Sequence, residues 1–133
     1  MFMDTSFCVD LFREQNNQAK GPATRKLEHL GDTPIMASVF VVCELQAGAR
    51  MSQNPDAELR KVEIFTDRIG VIYPDSVFAV AYGEAEAFLR SMGKPVPTMD
   101  LLIGIQAKIH GLPLLTRDAT HFKLIPGLVI ESY

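Results

Sequence analysis

Residues 34–50 read PIMASVFVVCELQAGAR, and the way this stretch folds decides the architecture of the chain. Its β-branched content is compatible with one long strand over residues 35–43. The segment 44–50 is a poor strand sequence, however, and the preceding residues continue into it at helical spacing. The positions that follow this spacing are Val39, Val42, Cys43, Gln46 and Ala49. We therefore predict a short strand, Ile35 to Ala37, followed by a helix that Ser38 caps.

Short apolar segments alternate with helical patterns along the rest of the chain. Further strands are predicted at Met1–Met3, Val71–Tyr73, Leu114–Leu115 and Leu128–Ile130. Two helices are predicted to begin after caps, the first at Asp4 or Ser6 and the second at Asp75 or Ser76. Two more are predicted over Pro22–Leu30 and over Met99–His110, the latter capped by Thr98. A further helix is predicted from Pro55 to about Arg68, and Gly70 is predicted to end it. Strands that alternate with helices form a parallel sheet. The prediction is an α/β fold with a short five-stranded parallel sheet and helices on both faces.

The bulk composition indicates an ordinary globular protein. The 133 residues are 47% hydrophobic and 22% charged, which fits one domain over residues 1–133. The formal net charge of −3 gives no sign of a nucleic-acid binder, although a local basic patch is not excluded. Arg13, Lys20, Arg25 and Lys26 are candidates for such a patch, with an ordinary solvated surface as the alternative.

Cysteine usage and hydropathy indicate the compartment. Cys8 and Cys43 form no CxxC pair, so we expect two buried thiols in a reducing cytosol. No signal peptide opens the chain, and no apolar stretch approaches the roughly 20 residues that span a bilayer. The expectation is a soluble, cytoplasmic protein without a membrane contact.

Four acids lie next to segments that should be buried: Asp4, Glu44, Asp100 and Asp118. Ligands of parallel α/β sheets bind at the carboxyl ends of the strands, and Asp4 and Asp118 follow predicted strands there. Two carboxylates about 4 Å apart repel by about 4 kcal/mol at an effective dielectric of about 20. A cation relieves this repulsion, and Mg²⁺ or Mn²⁺ suits oxygen ligands. The alternative for any single acid is a helix cap or a turn residue.

Four motifs in order give the chain a family resemblance. They are MDTSFCVDLF at 3–12, SVFVVCELQAG at 38–48, MDLLIGIQA at 99–107 and LLTRDATHF at 114–122. In these the chain resembles PIN-domain ribonucleases, in particular VapC-type toxins of bacterial type II toxin–antitoxin systems. The resemblance implies a sheet order of 3-2-1-4-5 and a Mg²⁺- or Mn²⁺-dependent endoribonuclease that inhibits translation and growth.

The resemblance also implies roles for single residues. Asp4, Glu44, Asp100 and Asp118 match the catalytic, metal-holding acids, and Ser6 and Thr116 match polar residues that support them. Many relatives carry an acid where this chain has His121, which we expect to be solvated. The implied partners are tRNA or ribosomal RNA as substrate, a VapB-type antitoxin whose tail blocks the acid pocket, a second copy of the chain in a homodimer, and operator DNA only through the antitoxin.

Two further residues lie close in sequence to the four acids, and two other functions are compatible with parts of the sequence. Arg117 could contact a substrate phosphate or a nearby carboxylate, and Asp10 is expected to point to solvent from the first helix. One alternative function is a catalytically inactive PIN-like module that binds RNA or protein. The other is a phospho-accepting receiver domain, for which only Asp75 is a partial match.

Overall fold

A five-stranded parallel sheet forms the centre of the chain in this computed structural model, which describes residues 1–133. The strands are β1 (Phe2–Met3), β2 (Met36–Ser38), β3 (Gly70–Ile72), β4 (Leu114–Leu115) and β5 (Ile130–Glu131). Their order is β3-β2-β1-β4-β5, and every neighbouring pair is parallel. The predicted class, strand number and strand order are confirmed.

Six α-helices surround the sheet. They are α1 (Thr5–Asn16), α2 (Pro22–Leu30), α3 (Val39–Arg50), α4 (Pro55–Thr66), α5 (Ser76–Ser91) and α6 (Thr98–Ile109), and a short 3-10 helix covers Phe122–Leu124. The predicted break in residues 34–50 is confirmed, because Ser38 ends β2 and its Oγ accepts a hydrogen bond from the Phe40 amide at 3.1 Å.

Two predicted helix boundaries were wrong, and β5 begins at Ile130 and not at the predicted Leu128. Gly70 does not end α4 but begins β3, because its amide donates to the Ile35 carbonyl at 3.0 Å and so belongs to the sheet. Thr98 is the first residue of α6 and not its cap, a position that Pro97 holds without a side-chain hydrogen bond. The predicted caps Asp4 and Asp75 both accept hydrogen bonds from their own helices.

The core lies around the two central strands. Phe2 and Met3 of β1 and Leu114 and Leu115 of β4 are fully buried, as expected for parallel strands that are covered on both faces. Cys8 also belongs to this core, but Cys43 is exposed on α3. The expectation of two buried thiols is therefore wrong for Cys43, which lies on the solvent side of its helix.

One helix carries apolar side chains at the surface. Val77, Val80 and Phe88 of α5, and Met92 directly after it, are each about half exposed or more. No helix combines the length and the apolar content that crossing a membrane requires.

Candidate active site

The site lies where the strand order reverses, between β1 and β4. Asp4 follows β1 directly and Thr116 follows β4 directly, and the Thr116 Oγ1 donates to the Asp4 Oδ2 at 2.8 Å. The Asp4 amide also donates to the Leu115 carbonyl at 3.0 Å. The parallel pairing of the two strands thus places both side chains in one crevice, at the carboxyl edge of the sheet.

Asp4 is held rigidly at this crevice. It is only 7% exposed and caps α1, and its Oδ2 accepts hydrogen bonds from the Ser6 amide at 3.3 Å and the Ser6 Oγ at 2.6 Å. A buried carboxylate needs such partners to offset the loss of hydration. All of these donors contact Oδ2, so Asp4 Oδ1 has no donor from the protein.

Glu44 approaches the crevice from the second turn of α3. Its Oε2 accepts a hydrogen bond from the Thr5 Oγ1 at 2.5 Å. Burial raises the pKa of the Glu44 carboxyl, the hydrogen bond from Thr5 opposes this, and the charges of Asp4 and Asp100 raise the pKa further. Glu44 is therefore close enough to Asp4 and to Asp100 for their charges to act on it.

Asp100 enters from the first turn of α6, where the helix dipole favours a negative charge. Its Oδ2 lies 2.7 Å from the Nδ1 of His121. The expectation that His121 is merely solvated is wrong, because its half-exposed ring contacts this acid.

A buried polar contact connects the helices that carry Glu44 and Asp100. The Ser38 Oγ, at the start of α3, donates to the Gln106 Oε1 of α6 at 2.6 Å, and both residues are almost completely buried. Buried hydrogen bonds between elements fix their relative position. Gln106 was not singled out in the sequence, although a polar residue in an otherwise apolar helix is a usable signal.

Asp118 differs from the other three acids. It is exposed, and its Oδ1 accepts hydrogen bonds from the Thr120 amide at 2.9 Å and the Thr120 Oγ1 at 2.5 Å. These hydrogen bonds, above all that from the hydroxyl, lower the pKa of the Asp118 carboxyl. We refer to residues 116–121 as the β4 loop. The Asp118 side chain contacts the β4 loop and does not contact Asp4, Glu44 or Asp100.

Asp10 and Arg117 form a pair beside the site. The Arg117 Nη1 donates to both carboxylate oxygens of Asp10 at 2.7 Å, and the Arg13 Nη1 lies 3.2 Å from the Asp10 Oδ1. Asp10 is only 9% exposed. The expectation that it points to solvent is wrong, because α1 turns it toward the β4 loop. Of the two contacts considered for Arg117, the structure contains the one with a nearby carboxylate.

The candidate basic patch is largely paired with acids. Lys20 contacts Glu28 at 2.6 Å, and Lys26 contacts Glu131. The Arg25 Nη1 donates to the Lys20 carbonyl at 2.7 Å. These contacts favour an ordinary solvated surface over a dedicated basic strip.

The donor set fits a hard divalent cation. Each of Asp4, Glu44 and Asp100 uses one carboxylate oxygen for a protein partner, and the other oxygen has none. Metal-binding side chains are commonly oriented in this way by outer hydrogen bonds. The present side-chain orientations do not bring three such groups within reach of one ion. The three acids are assembled at one crevice, but their free oxygens do not converge.

Comparison with known proteins identifies the class. The PIN-domain family model matches residues 1–128. The chain therefore belongs to the PIN-domain family. It is 31% identical over 131 residues to the tRNA(fMet)-specific endonuclease VapC of Salmonella typhimurium, covering 98% of this chain and 96% of that one. The ribonuclease VapC1 of Haemophilus influenzae is 29% identical with the same coverage.

Solved structures agree with this assignment. The chain is similar to the crystal structure of VapBC2 from Rickettsia felis bound to a DNA fragment from their promoter, with a TM-score of 0.87 and 28% identity over 99% of this chain and 97% of that one. Within the PIN family, the chain is an endoribonuclease toxin of the VapC type. This excludes the receiver-domain alternative and favours the nuclease over the module that only binds.

Proposed function

We propose that the chain cleaves RNA with a divalent cation, Mg²⁺ or Mn²⁺, held by Asp4, Glu44 and Asp100, with Asp118 as a fourth ligand from the β4 loop. The observation that carries the proposal is the set of three carboxylates at one crevice, each with one oxygen held by a protein partner and the other oxygen without one. Coupled carboxylates without a cation take up protons or reduce stability. A site built this way suits a cation better than any purely structural use.

The neighbouring hydroxyl groups keep the three acids in place for this task. Thr116 and Ser6 hold one oxygen of Asp4, and Thr5 holds one oxygen of Glu44. Asp100 is held by His121 in the same manner. The oxygens of these acids that have no protein partner would be the ones to hold the ion. When bound, that ion would activate a water and stabilise the charge that develops on the phosphodiester.

The proposed substrate is a structured RNA, either a tRNA or a ribosomal RNA, whose cleavage inhibits translation. The tRNA(fMet) specificity in the name of the Salmonella relative supports this class. The Arg117 side chain is 56% exposed and uses Nη1 for Asp10, so one of its other guanidinium nitrogens would contact a phosphate. Such a substrate implies action in the cytoplasm.

An RNA cleavage assay with added Mn²⁺ tests the proposal. Purified wild-type chain is compared with Asp4→Ala and Asp100→Asn, and with Asp32→Asn as a matched control at an exposed acid outside the site. We expect cleavage by the wild type and the control only. Equal activity in all four proteins, or no Mn²⁺ binding by calorimetry at millimolar metal, would contradict it, and the latter would favour the module that only binds.

We propose a VapB-type antitoxin as the protein partner, seated in two adjoining clefts of about 380 Å³ each. The first reaches Glu44, and Arg13 also lines it. The second lies among α1, α2 and α4 and is largely apolar, and Phe12 lines both. An amphipathic segment suits the apolar cleft, and a basic side chain at its end would reach the acids. Contact with operator DNA is proposed only through this partner.

This partner is tested by expressing the product of a short neighbouring gene together with the chain and measuring inhibition of RNA cleavage. Ile64 lines the apolar cleft and is 48% exposed. We expect Ile64→Glu to retain RNA cleavage and to escape inhibition, because the charge opposes burial of the partner's apolar face. Val129→Glu is the matched control, because Val129 is 61% exposed and lies outside both clefts. Inhibition of both variants to the same degree would exclude this cleft.

A homodimer through α5 is proposed from its exposed apolar side chains, since large apolar patches mark interaction sites. Val77, Val80, Phe88 and Met92 form the patch. Sedimentation of the wild type and Val80→Glu distinguishes a dimer that this patch holds from a monomer.

A further inference from the structure

Asp10 is a buried acid that the proposed reaction does not use. It is only 9% exposed, and it does not cap its helix or raise the pKa of Glu44. Acids are rarely this buried without a compensating role. The four hydrogen bonds that Asp10 accepts therefore indicate its role.

The partners of Asp10 come from three separate parts of the chain. Arg13 is one turn further along α1, Arg117 belongs to the β4 loop, and Tyr133 follows β5. The Tyr133 hydroxyl donates to the Asp10 Oδ2 at 2.8 Å, and its ring packs edge-on against Phe7 at 4.9 Å. Asp10 thus connects α1 to the segments that follow the neighbouring strands β4 and β5.

The contact with Arg117 is the strongest of these. The single Arg117 Nη1 contacts both carboxylate oxygens at 2.7 Å, and charge-assisted hydrogen bonds are roughly twice as strong as neutral ones. The same residue is also anchored through its backbone, because its amide donates to the Ser6 Oγ at 3.2 Å. Ser6 in turn donates to Asp4 at 2.6 Å.

Arg117 stands between Thr116, which contacts Asp4, and Asp118. A clamp on its side chain therefore restrains the β4 loop at the point where it passes the acids. His121, which contacts Asp100, lies at the far end of the same loop.

We infer that Asp10 is a positioning residue, which clamps Arg117 and thereby holds the β4 loop in register with Asp4 and Asp100. The inference rests on the proposed function, since the loop matters through the acids that it completes. Tyr133 supports the clamp by fixing one carboxylate oxygen of Asp10.

The test uses the full chain with Asp10→Asn, Tyr133→Phe and, as a matched control, Glu86→Gln. Glu86 contacts Arg90 at 2.5 Å on α5, so the control also removes a carboxylate–arginine pair, outside the β4 loop. Hydrogen exchange of the loop amides is measured together with kcat, KM and the Kd for Mn²⁺.

We expect Asp10→Asn to speed exchange in the β4 loop and to lower kcat by about 10- to 100-fold, the cost of a small misplacement. KM stays the same or falls, because the freed Arg117 still contacts phosphate. Tyr133→Phe should give a smaller change in the same direction. Glu86→Gln should leave all of these quantities unchanged.

The inference would be overturned if Asp10→Asn lowered the melting temperature but left hydrogen exchange of the β4 loop, kcat and Kd unchanged. If Asp10→Asn does not fold, Tyr133→Phe decides, and unchanged loop exchange in that variant also overturns it. If the wild type neither binds Mn²⁺ nor cleaves RNA, the proposed function fails, while loop exchange still judges the role of Asp10.

Discussion

The two sides of the candidate site are built differently. Asp4 caps α1, and Glu44 and Asp100 stand on α3 and α6; the inner faces of these three helices pack into the core. Asp118 and His121 stand on the β4 loop, where Asp118 is fully exposed to solvent. Helical acids are fixed by the packing of their helices, whereas loop residues depend on a few hydrogen bonds. The chemistry should therefore depend most on the helical side and be adjusted by the loop.

Asp4→Asn should have the largest effect on RNA cleavage. The amide keeps an oxygen for Ser6 and Thr116, so the cap and the fold survive while the charge is lost. Metal ions supply several kcal/mol of charge stabilisation, so a loss on the order of 10³-fold in kcat is expected. Rates with Mn²⁺ are compared with those of Asp32→Asn. A variant that keeps more than a tenth of the wild-type rate would place the reaction elsewhere.

Glu44→Gln should abolish tight Mn²⁺ binding and yet raise the melting temperature of the metal-free chain. Burial, assisted by Asp4 and Asp100, raises the pKa of Glu44 in the folded state. A carboxyl with a raised folded pKa destabilises the fold above that pKa, and the penalty disappears as the pH falls through it.

The stability difference between Glu44→Gln and the wild type should therefore be clear at pH 7 and shrink on acidification toward pH 4.5, the ordinary pKa of a glutamate. Thermal melting in a chelating buffer at both pH values measures this. Glu63→Gln, at an exposed position on α4, is the control and should show no such pH dependence. A metal-free wild type that is more stable than Glu44→Gln at pH 7 would show that the three acids do not repel one another.

The contrast between the two sides also explains what the sequence could predict. The strands, the break at Ser38 and the helices that carry Asp4, Glu44 and Asp100 follow from local patterns of apolar residues and caps. Once the strand order is known, the carboxyl edge of the sheet gathers these acids. Local pattern and global fold agree there, so sequence reasoning succeeds.

The contacts of the β4 loop could not be predicted in this way. Asp10 meets Arg117 across 107 residues, and His121 meets Asp100 across 21. Neither pair leaves a periodic signal, because each depends on how a loop crosses the end of a helix. For this reason the sequence predicts that Asp10 and His121 face solvent, which the structure contradicts.

His121→Gln should have an intermediate effect. Its Nδ1 lies 2.7 Å from the Asp100 Oδ2, and loss of an outer-shell partner typically costs about 10- to 100-fold in metal affinity or activity. Calorimetry with Mn²⁺ is the direct measurement, with the exposed His29→Gln on α2 as control. An unchanged Kd would show that Asp100 is positioned by α6 alone.

Asp118→Asn should have the smallest effect on cleavage. In this structure its Oδ1 is already engaged by Thr120, and its side chain does not contact the helical acids. If its role is to complete the ion's ligands from the loop, we expect a loss of roughly fivefold in rate, comparable to the loss of one ordinary hydrogen bond. Thr120→Val tests whether that loss comes from the carboxylate itself or from its hydrogen bond to the loop. The variant removes the hydroxyl that contacts Asp118 but keeps the carboxylate and the Thr120 amide. Activity should therefore be retained if the Asp118 carboxylate binds the ion. A loss near that of Asp4→Asn in Asp118→Asn would instead show that the β4 loop closes onto the metal, and the two sides of the site would then be equal in the reaction.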